Sequence, residues 1–443
     1  MSSSFRNSAL LAGAMLAGVL AAPGRARASN WEFEPRVEVG GLYNDNYRLI
    51  QHTQPAVQAY GLLADVAMGF TLIDQRSELD IVPRVRSTFF PDDHEDQSTD
   101  GYLDIVGNIK TQKASYGGTF LYANETVLSS EILPADFPGV SLGQVQGEAN
   151  GRVTIHNRRQ LEQVAPKMTY DFSPRWHLNL NGMFENASFS DDLAAQKQQP
   201  QYVQVGFKDV YASGGMQYDI TQRQDIIFSL SAARFMPDKT TVQGSGPNAQ
   251  PVNNNTTDTD RIGVQAQWDA KPSTTMQTYV RFGISRVHAN TAADGVINKV
   301  LPVGGAGAVW TYQLSQYVID AIRDLSPSSA GAVVEHDELR FRFLHALQPR
   351  LYGVLAARGV LVRGASQNIL GIQSSDYVAA SAQLQYQLTR NYRVAGEYAY
   401  TWQHFHGEPY AASNSITVSV IWEPQSRYKR IPDFNALPLD RPQ

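Results

Sequence analysis

The sequence predicts an all-β chain: a transmembrane antiparallel up-and-down β-barrel of about eighteen strands, or about sixteen if one pair is misread. Three observations predict it. Segments of about ten residues alternate apolar and polar side chains from Trp31 to Trp422, the period of an extended chain with two unlike faces. The connections between them alternate tight turns with long loops, the asymmetry of a barrel with a periplasmic and an outer rim. The chain also opens on the features of an export leader.

That leader is the first element. Arg6 supplies a positive start, Ala9 to Ala22 an apolar run, and Ala26-Arg27-Ala28 a small-residue cleavage site. Residues 1–28 are expected to be a signal peptide, with Ser29 starting the exported chain. The apolar run falls short of the roughly 20 residues that a membrane helix needs, and no later stretch approaches that length. The chain has no cysteine, which rules out disulfides and thiol chemistry. Its 37 Lys and Arg against 42 Asp and Glu give a net charge of −5, and loss of Arg6, Arg25 and Arg27 makes it more acidic. A nucleic-acid partner, which needs a basic face, is not expected.

Strand candidates in the first half are 31–43, 56–73, 78–89, 102–113, 115–128, 160–172, 176–188, 206–219 and 225–236. In the second half they are 260–269, 275–288, 304–314, 316–325, 336–347, 351–362, 377–388, 392–402 and 414–422. The faces separate cleanly in several of them. Leu79, Ile81 and Val85 oppose Asp80, Arg84 and Arg86; Leu178, Leu180 and Phe184 oppose Asn179, Asn181 and Glu185. Ile262, Val264 and Trp268 oppose Gln265 and Gln267; Leu339, Phe341 and Phe343 oppose Arg340 and Arg342. An arginine facing lipid at mid-depth costs about 2–4 kcal/mol, so the arginine face belongs inside the barrel. The last strand, with Ile416, Val418, Val420 and Trp422 on one face, ends on an aromatic residue as closing strands of outer-membrane barrels do.

Short connections carry turn chemistry: Asp74-Gln75-Arg76, Ser173-Pro174-Arg175, Lys271-Pro272-Ser273, Gln348-Pro349-Arg350 and Thr389-Arg390-Asn391. Long ones cover 44–55, 90–101, 129–159, 189–205, 237–259, 289–303, 326–335, 363–376 and 403–413. The barrel is expected to span residues 29–422. Residues 423–443, with Pro424, Pro432, Pro438 and Pro442, are expected to be a flexible tail on the short-turn, periplasmic side.

Function, if any, lies in side chains pointing into the lumen. Asp80, Arg84, Arg86, Arg281, Arg340, Arg342, Arg393 and Glu397 are the expected pore-lining set. Charges of both signs suit a transverse field that selects polar solutes, and equally a lumen closed by ion pairs. The third external loop is long enough to fold inward, and its Leu133, Asp136, Phe137 and Gly139 are the expected constriction; an outer surface loop is the alternative. The acidic run Asp92, Asp93, His94, Glu95 and Asp96 reads as solvated charge. His404 and His406 lack a third ligand in the sequence, so no metal and no cofactor are expected. Ser245 sits in a glycine-rich loop rather than a strand-turn-helix elbow, and no enzyme activity is expected.

Several segments resemble outer-membrane β-barrel proteins associated with exosortase and exopolysaccharide gene clusters, a porin-like group. The resemblance rests on Pro35-Arg36 with Tyr43-Asn44-Asp45-Asn46-Tyr47-Arg48-Leu49, and on Asn157-Arg158-Arg159. It rests also on Leu325-Ser326-Pro327-Ser328-Ser329-Ala330-Gly331-Ala332, Tyr398-Ala399-Tyr400 and Ala412-Ser413-Asn414. It implies an outer-membrane location in a Gram-negative cell and a link to surface polysaccharide, and it supplies no catalytic residues. The polar tail after Trp422 departs from barrels that end on the terminal aromatic. The expected partners are outer-membrane lipid and lipopolysaccharide, the barrel assembly machinery and, through the resemblance, polysaccharide. The expected role is a porin-like channel for polar solutes or surface polysaccharide. The alternative is a non-conducting structural or receptor barrel that binds ligands through its outer loops.

Overall fold

The computed structural model describes residues 30–91, 97–131, 134–136, 158–190, 204–243, 250–253, 256, 258–291, 295–364 and 374–424. The leader and most of the tail expected above lie outside these residues, as do Asp92 to Asp96 and Ser245.

Eighteen strands form one closed antiparallel sheet. They are β1 (Asn30–Asn44), β2 (Ala59–Ile73), β3 (Ser77–Phe89), β4 (Ser98–Lys110), β5 (Ala114–Thr126), β6 (Arg158–Asp171), β7 (Trp176–Ser190), β8 (Phe207–Thr221) and β9 (Gln224–Pro237), then β12 (Thr259–Ser273), β13 (Met276–Thr291), β14 (Gly295–Tyr312), β15 (Ser315–Ser328), β16 (Ala332–Gln348), β17 (Leu351–Gly364), β18 (Ser375–Gln387), β19 (Tyr392–Phe405) and β20 (Ala411–Trp422). A separate hairpin, β10 (Thr240–Gln243) with β11 (Gln250–Asn253), occupies the long β9–β12 connection. A five-residue helix, α1 (Val127–Glu131), follows β5. Each strand pairs with its sequence neighbours, and β1 also pairs with β20, from Val37 opposite Trp422 to Asn44 opposite Ser415. With strands about 4.8 Å apart and tilted about 40°, eighteen of them close a circle about 36 Å across.

Every expected strand overlaps one observed strand. Two expected loops are largely strand. Residues 289–303 continue β13 and β14 to Thr291 opposite Gly295, and 326–335 continue β15 and β16 to Ser328 opposite Ala332. Pro302 and the Gly304-Gly305 pair make the first look irregular, yet Pro302 sits in register opposite Ile284.

Large apolar side chains cover the outside. Phe282 is 70% exposed, Leu230 63% and Ile262 62%. Leaving such side chains in water forfeits about 1.5–3 kcal/mol each, so an apolar medium must cover them, as the transmembrane barrel requires. Aromatic residues collect at the ends of this surface. Trp176 lies against Tyr218 (4.7 Å between centroids), and Trp310, Tyr317 and Phe343 stack in succession near the short turns. Near the long loops Tyr43 meets Tyr60 at 4.8 Å. These are the interfacial girdles of a membrane barrel.

Candidate functional site in the barrel lumen

Directly opposed residues share a face of the sheet, so the outward apolar set fixes which side chains enter the lumen. All eight expected lumen residues are on the inward face. They divide into two environments that local alternation does not distinguish.

The first is a packed sector on β13 to β17. Asp320 accepts from Tyr279 Oη and from Arg340. Arg358 Nε meets Glu338 Oε1 at 2.8 Å, and His336 Nε2 lies 3.4 Å from Glu338 Oε2. Arg340 and Arg358 side chains are 1% and 0% exposed. Arg340 is thus built into a dry ion-pair network, where each charge is affordable only because its partners are in place. Gly307 makes the network possible, because a Cβ there would lie 2.6 Å from the Tyr279 ring and 2.7 Å from Asp320 Oδ1. Arg281 is nearby and bonds Asp324 at 3.2 Å.

Towards the long loops the filling extends from β13–β16 to the inner faces of β5 to β9. Leu161, Ala187, Phe207, Phe235, Val287 and Val303 form one buried apolar cluster with the Leu325 and Val333 ends of β15 and β16. The tip between β15 and β16 reaches across the barrel. Val205 N–H donates to Ser329 O at 2.7 Å, and Ser328 and Ser329 are fully buried. Gly331 turns the tip at φ 81°, and a Cβ there would meet Thr256 at 2.7 Å. Arg261 binds Asp209 (2.6 and 2.8 Å) and donates to Leu325 O, tying the wall below to the tip.

A second inward element comes from the third external loop. Thr126 caps α1 through Ser129 N–H, and Asp100 accepts from Thr126 N–H and Ser129 Oγ, which anchors the start of the loop. Further on, Ala135 packs with Val334, Ala356, Val360 and Tyr377 on the inner wall. Arg358 Nη1 donates to Pro134 O at 3.2 Å, and Arg342 Nε donates to Asp136 Oδ1 at 2.7 Å. Of the expected constriction residues, Asp136 is therefore inside the lumen; Leu133, Phe137 and Gly139 lie outside the described residues.

The second environment is the wall formed by β1 to β3 with β18 and β19. Arg36 meets Glu38 at 2.7 Å, Arg84 Nε donates to Asp65 at 2.9 Å, and Thr71 donates to Asp80 at 2.6 Å. Gln383 donates to Glu397 at 3.2 Å, and Arg393 to Glu423 at 2.9 Å. Arg36 and Arg84 side chains each remain 39% exposed, against almost none for Arg340. Among the described residues Arg86 carries no ion pair. Nearer the short turns on the opposite side, an amide ladder runs from Thr169 through Asn179 and Gln217 to Asp219.

Sequence reading missed Asp320 and Arg358 because small or apolar residues flank them, Tyr279 because it follows Thr278 in a run without charge, and Glu338 because it is one of several charges in Glu335-His336-Asp337-Glu338. The available signal was cost: a lone charge inside an apolar run, such as Asp320 between Ile319 and Ala321, needs a buried partner. Ser315 Oγ lies 2.7 Å from His345 Nδ1, but the pair faces outward in the aromatic girdle and no carboxylate completes it among the described residues.

No family model matches the chain, and no curated protein matches it. Several solved structures align with most of the chain at low identity. OccK5 (OpdH) of Pseudomonas aeruginosa is 11% identical over 89% of this chain and 99% of its own, with a TM-score of 0.42. OccK2 (OpdF) of the same organism, in complex with glucuronate, is 10% identical over 89% and 98%, with a TM-score of 0.44. OmpT of Vibrio cholerae, with loop L8 deleted, is 10% identical over 90% and 100%, with a TM-score of 0.35. Nothing about cargo or residue roles transfers at this distance.

Proposed function

We propose that this chain is a porin-like channel of the outer membrane that passes small polar solutes along the charged wall of β1 to β3 and β19. The observation that carries the reading is the split lumen. One half is dry and packed. The other keeps Arg36 and Arg84 half-exposed, and Asp136 of the third long loop is held inside the barrel by Arg342. Such a path needs no chemistry: width and field select the solute. Arg86, Arg84, Asp80, Arg342, Arg393 and Glu397 line it, while Arg340 and Arg281 brace its back wall. Membrane lipid and lipopolysaccharide around the apolar surface, and the machinery that inserts barrels, are the partners this reading brings. Surface polysaccharide as cargo rests on the sequence resemblance alone.

The test is swelling of liposomes that contain the refolded chain from residue 29 onward, in amino acids and sugars of graded size. Swelling that falls off with solute size supports the reading. No swelling from a barrel that shows heat-modifiable migration would replace it with a non-conducting barrel acting through its outer loops.

A further inference from the structure

We infer that Asp376, His404 and His406 form a binding site for a borderline divalent metal ion, Zn²⁺ being the representative, on the outer face of the barrel at its long-loop rim. The sequence offers only two histidines two residues apart. The fold supplies the third ligand, because β18 pairs with β19 so that Asp376 stands directly opposite His404. Alternation along β19 puts His404 and His406 on one face, and the donor atoms of all three residues lie within 4.8 Å of one another.

The geometry is close to what a metal needs. His406 Nε2 lies 3.3 Å from Asp376 Oδ2. Two ligands of a tetrahedral ion with bonds of about 2.0 Å stand about 3.3 Å apart. The His404 and His406 rings are 5.6 Å apart, and a ring rotation brings the third nitrogen in. The frame is fixed from three sides. His406 N–H donates to Ser374 O at 2.9 Å, which ties the residue beyond β19 to the start of β18. Trp402 packs on the His404 ring, 5.9 Å between centroids. Arg363 Nη2 holds Asp376 Oδ1 at 2.7 Å, while its Nη1 donates to Val362 O and Ser375 O. Arg363 therefore occupies one carboxylate oxygen and leaves the other facing the histidines. Its charge weakens the site and its grip orients it, the role usual for groups behind a ligand.

Two imidazoles and one carboxylate favour Zn²⁺, Ni²⁺ or Cu²⁺ over Ca²⁺ or Mg²⁺. Three protein ligands leave a fourth position open to the outside. A bound ion would staple the β18–β19 rim.

The experiment is calorimetric titration of Zn²⁺ into the refolded, untagged chain in detergent, beside His404→Ala, His406→Ala and the double variant. The expected result is one ion per chain, bound about tenfold or more weaker in either single variant. Binding by the double variant as tight as by the parent overturns the site. Should a variant fail to fold, electron paramagnetic resonance of Cu²⁺ on the parent chain decides. Two coupled nitrogen ligands support the site, and fewer than two refute it.

Discussion

Asp45 accepts two hydrogen bonds from Asn414, one from the backbone N–H and one from the side-chain amide, both at 2.7 Å. Asp45 follows the first strand and Asn414 lies in the last, so this pair fastens the outer end of the seam where the barrel closes. Its neighbours extend the clasp: Asp45 N–H donates to Asn414 O, Asn46 Nδ2 to Ala412 O at 2.9 Å, and Ser413 Oγ to Asn44 Oδ1 at 2.7 Å. Two segments far apart in sequence, Asn44 to Asn46 and Ala412 to Asn414, are thus one structural device.

Replacing Asp45 with Ala removes two charge-assisted bonds, each worth about 1.5–3 kcal/mol at most and less where water reaches it. Asp45→Ala is expected to lower the temperature at which the folded band is lost in heat-modifiable electrophoresis. An unchanged transition would mean the seam is held by the strand ladder alone.

Asp136 and Arg342 share one ion pair at 2.7 Å. If that pair holds the inward loop, Asp136→Ala and Arg342→Ala each free it and raise single-channel conductance. The double variant should add little to either, because both substitutions break the same interaction. Additive effects would show that the two residues act separately.

Gly307 leaves the room into which Tyr279 reaches for Asp320. Gly307→Ala is expected to cost about 1–3 kcal/mol through overpacking, read as a lower urea midpoint for unfolding in lipid vesicles. A midpoint equal to the parent's would place the ring elsewhere.

Arg340 and Arg86 sit in similar alternating segments and should behave in opposite ways. Arg340→Met leaves Asp320 without its cation in a dry sector, a loss of about 3–5 kcal/mol. Arg86→Glu should leave stability within about 0.5 kcal/mol and move the reversal potential in a salt gradient towards cation selectivity. Equal stability of the two variants would refute the two-environment lumen.

That contrast marks the limit of what was legible in the sequence. Period-two alternation assigns a side chain to a face, so the strands and the inward position of Arg340, Arg342 and Arg86 could be read directly. It does not say what covers that face. Whether Arg340 meets water depends on Asp320 and Glu338, on Arg358 one strand over, and on a loop segment that joins them from about 200 positions away. The same gap hid Asp376, whose meeting with His404 depends on strand register. Pro302 and its neighbouring glycines misled for a different reason: they weaken a strand locally, while the ladder to β13 runs unbroken past Pro302 and β15 pairs from Gly304 onward.

The most direct measurement is single-channel conductance of the refolded chain from residue 29 onward in a planar bilayer, beside the Asp136→Ala variant. The account predicts steady conductance steps that grow in the variant. Silence from both, with heat-modifiable migration showing the barrel folded, would contradict a channel along the charged wall.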